Sequence, residues 1–180
     1  NYNISVQIGN YVAVQDTFIK DDTIHEMNHY VLDYNKELAS NYFTQSKEVI
    51  RFYEKYFGDY QWYEDGYKLI EVPYLGMEHQ SAVTYGNGFS IYNGVRSKSW
   101  PMYGVIDPLI IHETGHEWFG NSVTAQDPTH IWIHEGLQVY SESIYFEDKF
   151  DSYEVGVHYL NTLKNRIVNE IPIVGRENEN

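Results

Sequence analysis

Two histidines and two glutamates in the second half of the chain have the types and spacing of a hydrolytic zinc site. Residues 112–116 read His-Glu-Thr-Gly-His, and Glu135 follows after eighteen intervening residues, 117–134. Histidines four apart on a helix lie on one face, so both imidazoles can reach one ion, and a glutamate from a second helix can complete a His₂Glu ligand set. Such a set leaves the fourth position open for water and substrate, unlike a closed structural site.

Each of these residues has an expected role. We predict that His112, His116 and Glu135 bind one Zn²⁺ ion and that Glu113 is the general base. Zinc lowers the pKa of a bound water toward 7 and polarises the scissile carbonyl, while Glu113 would take a proton from water and pass it to the leaving amine. The alternative is that the histidines are partly buried residues of a packed helix and that Glu113 lies on its surface. Requiring a glutamate at one defined later position makes a chance match about tenfold rarer than the short motif alone.

The helices that must carry these residues have recognisable start and stop signals. Asp107 is a good N-cap, Pro108 fits the first helical position, and Gly120 can end the helix that carries the two histidines. A second Asp-Pro pair at 127–128 predicts the start of the next helix, which carries Glu135 and continues to about residue 149. Asp151 or Ser152 is expected to cap a third helix.

The first half of the chain is predicted to form strands and one long helix. Alternating apolar residues indicate a strand over residues 1–14, and apolar runs indicate two more, over 29–34 and 67–72. Helical spacing predicts a helix over residues 35–57, ended by Gly58. Residues 74–103 are rich in Gly, Ser, Asn and Tyr, which predicts loops with room for an edge strand.

Composition limits the classes of protein that are possible. A length of 180 residues with 42% hydrophobic and 17% aromatic residues fits one well-packed globular domain. The net charge of −14 argues against nucleic acid and anionic membrane surfaces as partners. The absence of cysteine excludes disulfides and thiolate metal ligands but leaves the compartment open. No apolar run is long enough to predict a membrane span.

The motifs around the zinc site resemble the aminopeptidase N family of gluzincin metallopeptidases. Residues 112–124 and 131–136 match the patterns HExxH-(Q/E)WFGNxVT and WxxEG, and Tyr140-Ser141-Glu142 matches the Tyr-x-Glu that follows. Upstream, residues 75–79 match the family's Gly-Ala-Met-Glu-Asn signature in part, because a leucine replaces the first glycine and a histidine the asparagine. The resemblance covers nearly the whole chain up to about residue 150.

The resemblance implies further site residues. Glu78 would bind the free α-ammonium group of the substrate, with Gly76 and Met77 as substrate-binding neighbours, although Glu78 could instead only close an edge strand. A glycine at position 76 would let the backbone approach the substrate closely. Glu142 lies two helical turns after Glu135 on the same face, so it is either a group that orients a ligand imidazole or an ordinary solvated glutamate.

The resemblance also implies the fold and domain organisation. We expect an α+β, thermolysin-like catalytic domain, with a small and mostly antiparallel sheet beside the helices that carry the zinc ligands. Residues 15–180 would belong to this domain, and residues 1–14 would be its first strand or the end of a preceding domain. Family members take an oxyanion-stabilising tyrosine from a position beyond Asn180, and many take a second amine-binding group from a preceding domain. Because one lost oxyanion donor costs ~10²–10³ in turnover, we expect this chain alone to bind zinc but to be weakly active or inactive.

The function implied by these observations is that of a zinc-dependent aminopeptidase acting on peptides with a free N-terminus, within a protein that has its own flanking domains. One alternative is a gluzincin endopeptidase, which would also cut N-blocked peptides and against which Glu78 argues. Another is a non-catalytic zinc-bound interaction domain, against which Glu113 argues. The epoxide hydrolase activity of one branch of the family has no support in the sequence. Resemblance to bacterial members slightly favours export to the periplasm or cell surface.

Overall fold

The computed structural model describes residues 3–90, 106–164, 166–168, 170 and 172–174. These residues form an α+β structure in which a hairpin and a small sheet precede the helices of the second half. The strands are β1 (Tyr11–Lys20), β2 (Thr23–Leu32), β3 (Lys68–Glu71), β4 (Gly76–Met77) and β5 (Ala82–Tyr85). The α-helices are α1 (Lys36–Tyr42), α2 (Gln45–Phe57), α3 (Pro108–Gly115), α4 (Glu135–Phe150) and α5 (Tyr153–Lys164), and short 3₁₀ helices span Asp33–Asn35 and Pro128–Ile133.

The sheet is mixed, with strand order β1-β2-β3-β5-β4. The β1/β2 and β4/β5 pairs are antiparallel, whereas β2/β3 and β3/β5 are parallel. A mostly antiparallel sheet was predicted, and the observed sheet is mixed, with two antiparallel and two parallel strand pairs. A parallel pair requires a long crossover, and α1 and α2 provide one between β2 and β3. The strand β4 lies at the edge of the sheet, beyond β5.

The first strand begins later than its sequence pattern predicts. Residues 3–8 have no regular secondary structure, and Ile4, Val6 and Ile8 are exposed, so their alternation does not face the core. The strand β1 instead continues to Lys20 and turns back into β2 through Asp21 and Asp22, which both have positive φ, as tight hairpin turns require. The predicted domain boundary after residue 14 falls inside β1.

The predicted helix over residues 35–57 is interrupted. It forms α1 and α2, separated by Phe43 and Thr44, and α2 ends before Gly58 as predicted. Phe43 is fully buried, so the interruption falls at the point where this aromatic side chain enters the core. The predicted strand over residues 67–72 is confirmed as β3. Of the predicted loop over 74–103, residues 91–103 lie outside the described part of the chain, and the remainder contains β4 and β5.

The helix α3 lies at the centre of the structure. It packs against α2, α4, β4 and β5, and its side chains are buried almost all round, as is typical of a helix in the middle of a core. The surrounding core is rich in aromatic residues, among them Tyr53, Trp118 and Tyr145. The sequence HETGH is thus placed in a rigid environment that fixes the direction of its side chains.

Outside the HETGH motif, His29 has a packing role. It is fully buried in β2, and its Nδ1 accepts a hydrogen bond from the Leu69 backbone N–H at 3.0 Å. Burial lowers the pKa of the His29 imidazole to about 4, so the ring is neutral at pH 7.

Among the described residues, the helices are too short or too polar to cross a bilayer.

Candidate metal centre

The start of α3 is fixed by Asp107. Its backbone is extended, its Oδ1 accepts a hydrogen bond from the Leu109 N–H at 2.9 Å, and Pro108 follows as the first helical residue, which confirms the predicted N-cap. Its Oδ2 also accepts hydrogen bonds from the hydroxyls of Tyr42 and Tyr85, at 2.8 and 2.7 Å. These bonds fasten the helix to α1 and β5.

The helix α3 ends at Gly115, earlier than the predicted end at Gly120. The last turn tightens, because the Glu117 N–H bonds to the Thr114 carbonyl three residues back. His116 is the C-cap and keeps helical dihedral angles, with φ −63° and ψ −15°. His112 and His116 consequently still project from one face, despite the early end of the helix.

The three predicted zinc ligands come together around one point. The Nε2 atoms of His112 and His116 are 3.2 Å apart, and the carboxylate of Glu135 lies 3.5 Å from the first and 3.7 Å from the second. Ligand atoms about 2.0–2.2 Å from one tetrahedral ion are separated by about 3.3–3.6 Å. The donor set and its spacing therefore fit a zinc ion, with a side left open because Glu135 is half exposed.

Hydrogen bonds on the far side of each imidazole direct its Nε2 toward this point. The Nδ1 of His112 lies 2.7 Å from Glu142 Oε1, and the Nδ1 of His116 lies 2.9 Å from the Phe119 carbonyl oxygen. Both oxygens are acceptors, so each Nδ1 carries a proton and each Nε2 is directed toward the space between the ligands. A cation in that space, either a proton or a metal ion, can be shared by the two Nε2 atoms.

The pKa shifts of the ligands also favour one positive charge at this point. Burial lowers the pKa of His112, but hydrogen bonds with Glu135 and Glu142 raise it to about 11. Burial and the neighbouring His112 lower the pKa of His116, and the hydrogen bond with His112 lowers that of Glu135. The cluster thus holds one proton when no metal is present, and a metal ion would replace it.

Glu113 is buried beside the three ligands. Burial raises the pKa of its carboxyl to about 8, and the nearby Glu78 acts in the same direction. A dication at the ligands would lower this value again, toward the range of a group that takes up and returns a proton near neutral pH. A methyl group added at Gly76 would lie 2.8 Å from Glu113 Oε1 and 3.0 Å from the Thr84 carbonyl oxygen. Glycine at position 76 therefore lets the edge strand β4 lie against Glu113.

The other predicted substrate-binding residues lie in the same place. Glu78 follows β4 directly, is 6% exposed, and has a carboxylate oxygen within 4.8 Å of ligand atoms of Glu113 and His116. Met77 pairs with Thr84 of β5 and is half-buried. The structure thus brings residues 76–78 to the edge of the candidate metal centre.

Glu135 occupies the first turn of α4. The sequence predicted one helix from residue 128, but residues 128–133 form a separate 3₁₀ helix. Asp127 caps the 3₁₀ helix by accepting from the Thr129 N–H at 2.9 Å. His134 is buried, and its Nε2 accepts a hydrogen bond from the Ala125 N–H at 2.8 Å. The Nε2 of His134 is therefore occupied by this hydrogen bond.

A hydrogen-bond network behind α3 was not anticipated. The hydroxyl of Tyr53 lies 3.0 Å from Gln138 Oε1 and 2.8 Å from Ser141 Oγ, and the Gln138 amide donates to the Ile111 carbonyl at 3.2 Å. These bonds link α2, α3 and α4, which carry or support all three ligands. The one sequence signal was Gly115, a glycine inside the helix predicted to run to Gly120, which indicates a close approach by a neighbour.

Comparison with known families places most of this chain in one domain type. Residues 42–172 match the peptidase family M1 domain. This range begins at the end of α1 and includes every predicted site residue.

Individual relatives are aminopeptidases by name. The chain is 31% identical over 152 residues to endoplasmic reticulum aminopeptidase 2 of Homo sapiens, and the match covers 77% of this chain and 15% of that protein. It is 26% identical over 118 residues to probable aminopeptidase 1 of Sulfurisphaera tokodaii, covering 64% of this chain and 15% of the relative. The chain therefore spans about one seventh of the length of these relatives.

Solved structures share the fold. An M1 zinc metallopeptidase from Deinococcus radiodurans superposes with a TM-score of 0.63 at 16% identity, covering 93% of this chain and 35% of the other. A glutamate-to-alanine mutant of that enzyme, bound to the substrate Tyr-Ser-Ala, superposes with a TM-score of 0.63 at 15% identity and the same coverage. The agreement extends over both the sheet and the helices.

Proposed function

Because this chain belongs to peptidase family M1, we propose that it is the catalytic part of a zinc-dependent aminopeptidase that hydrolyses the N-terminal peptide bond of its substrate. The observation that carries the proposal is the convergence of two imidazole Nε2 atoms and the Glu135 carboxylate beside two buried glutamates, Glu113 and Glu78. We propose one zinc ion per chain, held by His112, His116 and Glu135. The proposal includes a thermolysin-like domain over residues 15–180, with the start of β1 contributed by residues 1–14.

The residues around the ligands can divide the chemistry between them. Zinc, when bound, supplies a Lewis acid that polarises the scissile carbonyl and makes water acidic. The Glu113 carboxylate accepts a proton from the attacking water and returns it to the departing nitrogen. Glu142 holds the Nδ1 proton of His112, which keeps that imidazole in the tautomer that binds metal.

The edge strand β4 and Glu78 are the proposed determinants of where the peptide is cut. An extended peptide can align with an edge strand, and β4 is the last strand of the sheet on the side of α3. Gly76 and Met77 would contact the substrate backbone there. The Glu78 carboxylate would bind the α-ammonium group, a charge that N-blocked peptides lack. Hydrolysis would then be limited to the first peptide bond.

The proposal is tested by incubating the zinc-loaded chain with Tyr-Ser-Ala and with its N-acetylated form and measuring the release of tyrosine or acetyl-tyrosine by mass spectrometry. We expect slow release of tyrosine from Tyr-Ser-Ala and no release of acetyl-tyrosine from the N-acetylated peptide. Equal cleavage of both peptides would indicate an endopeptidase. Release from the free peptide that is equally fast with a Glu113→Gln variant would contradict hydrolysis through Glu113.

We predict that Glu78→Gln lowers kcat/KM for Tyr-Ser-Ala by about tenfold to a hundredfold, because a hydrogen bond to a charged group contributes about 1.5–3 kcal/mol. Glutamine keeps the shape of the side chain but not its charge. The affinity for zinc should be unchanged, since Glu78 is not among the proposed ligands. Unchanged kcat/KM in this variant would contradict the assignment of Glu78.

A further inference from the structure

Glu117 is a buried carboxylate with no part in the hydrolysis described above. It is 1% exposed and follows the ligand His116 directly. Its Oε1 accepts a hydrogen bond from the Ser81 backbone N–H at 2.7 Å. A carboxylate placed in a protein interior is unfavourable unless it satisfies a specific partner, and here that partner is the backbone of the turn after Glu78.

A second side chain from the segment that follows His116 also contacts the turn after Glu78. Asn121 donates from its Nδ2 to the Glu78 carbonyl oxygen at 2.9 Å, and this Nδ2 lies 3.5 Å from Glu117 Oε2. The backbone of Glu78 is therefore held at its own carbonyl by Asn121 and three residues later by Glu117. Both anchors belong to the segment that follows His116 at the end of α3.

The conformation of the held segment indicates that these bonds determine its path. Ser81 has a φ of 56°, a left-handed conformation that residues other than glycine rarely adopt. Within the turn, the His79 N–H bonds to the Met77 carbonyl and the Ala82 N–H bonds to the His79 carbonyl. Such a conformation persists when the surroundings impose it, and the bond from Ser81 N–H to Glu117 is the contact that does so.

We propose that Glu117 and Asn121 are positioning residues that fix the distance between the Glu78 carboxylate and the zinc ligands, and that they thereby set the selectivity for a free N-terminal amine. This inference rests on the proposed aminopeptidase function. The physical reason is that both anchors are attached to the backbone that carries His116. The Glu78 carboxylate and the zinc ligands are then held at a fixed separation, which we propose matches the length of one substrate residue between its ammonium group and its carbonyl.

The inference can be tested by ligand binding, which does not depend on turnover. Three probes are titrated into the zinc-loaded chain by calorimetry: leucine hydroxamate, N-acetyl-leucine hydroxamate and acetohydroxamate. The first carries the free amine, the second lacks its charge, and the third reports on the metal alone. The ratio of the first two affinities measures recognition of the amine. The variants are Glu117→Leu, which removes the acceptor, Glu117→Gln, which retains it, and Asn121→Ala, which removes the second anchor from a half-buried position.

We expect the parent chain and Glu117→Gln to prefer leucine hydroxamate over its acetylated form by the same factor, within about twofold. Glu117→Leu and Asn121→Ala should each lower this preference by about tenfold or more, comparable with the effect of removing a group that orients a metal ligand. Acetohydroxamate should bind all variants equally. If Glu117→Leu does not fold, Asn121→Ala decides the question.

Three results would overturn the inference. If Glu117→Leu and Asn121→Ala both keep the preference of the parent, Glu117 and Asn121 do not position Glu78, and the proposed function is unaffected. If both lose acetohydroxamate binding together with the preference, they act on the metal site and not on Glu78. A parent chain with no preference would refute amine recognition by Glu78, and the proposed function would fail first.

Discussion

Replacing Glu113 with glutamine will lower the rate of peptide hydrolysis by about 10²–10⁴-fold and leave zinc bound, because glutamine has the shape of glutamate but cannot accept a proton. Glu113 is buried beside His112, and Glu78 and the edge strand at Gly76 enclose it. The measurement is the initial rate of N-terminal residue release from Tyr-Ser-Ala, together with the zinc content of the same preparation.

A matched control separates this effect from a general effect of removing a negative charge. Glu37 lies exposed in α1, so Glu37→Gln removes the same charge from a helix without touching the site. Its hydrolysis rate should equal that of the parent chain. A Glu113→Gln variant that keeps more than about a tenth of the parent rate would contradict the role of Glu113 as the base.

The second large effect is expected in folding stability. Gly115→Ala should lower the free energy of unfolding by about 2–3 kcal/mol, because the added methyl group would lie 2.1 Å from both the Tyr53 hydroxyl and Gln138 Oε1. The Tyr53 ring stacks on Trp118 in the core and cannot easily move away. Equilibrium unfolding in urea measures the change, and the zinc affinity should fall with it, since the displaced network supports α3 and α4.

The chain provides its own control for this substitution. Gly136 is also a helical glycine, but a methyl group there would meet only Trp132 Cβ, at an ordinary contact distance of 3.7 Å. Gly136→Ala should therefore be neutral or stabilise α4 by up to about 1 kcal/mol, the difference in helix propensity. If Gly115→Ala proves as stable as Gly136→Ala, the close packing of α2, α3 and α4 has been misinterpreted.

The local features of the site could be predicted from the sequence. Residues four apart share a helical face whatever the rest of the fold does, so the alignment of His112 and His116 follows from their spacing alone. Asp107 marks the helix start by accepting a hydrogen bond from the nearby Leu109 N–H, and Pro108 marks it through its fixed φ. These signals depend on a few adjacent residues, and tertiary packing did not override them.

Features that depend on distant contacts could not be predicted in the same way. The parallel pairing of β2 with β3 is set by how α1 and α2 return the chain to the sheet, and no residue type encodes that direction. The bond between Glu117 and Ser81 joins residues 36 positions apart, so the buried environment of Glu117 appears only in the folded structure. The family motif contained Glu117 and Asn121, but it gave no physical role for either.

The interruption between α1 and α2 coincides with a residue whose side chain is buried in the core. Residues 35–57 are helical in pattern throughout, with no proline or glycine to mark an interruption. The break occurs at Phe43, which packs against His29 and Tyr85 in the core. The interruption thus coincides with the burial of this ring, although Phe43 and Thr44 keep helical dihedral angles, and propensity alone does not predict it.

The most direct test of the central claim is the zinc content of the 180-residue chain, measured by elemental analysis after exhaustive dialysis, beside a Glu135→Ala variant. The structure predicts about one zinc per chain in the parent and a marked loss in the variant, because His112, His116 and Glu135 converge on one point without rearrangement. A parent chain that retains no zinc, or a variant that retains as much as the parent, would contradict the assignment of these three residues as the metal site.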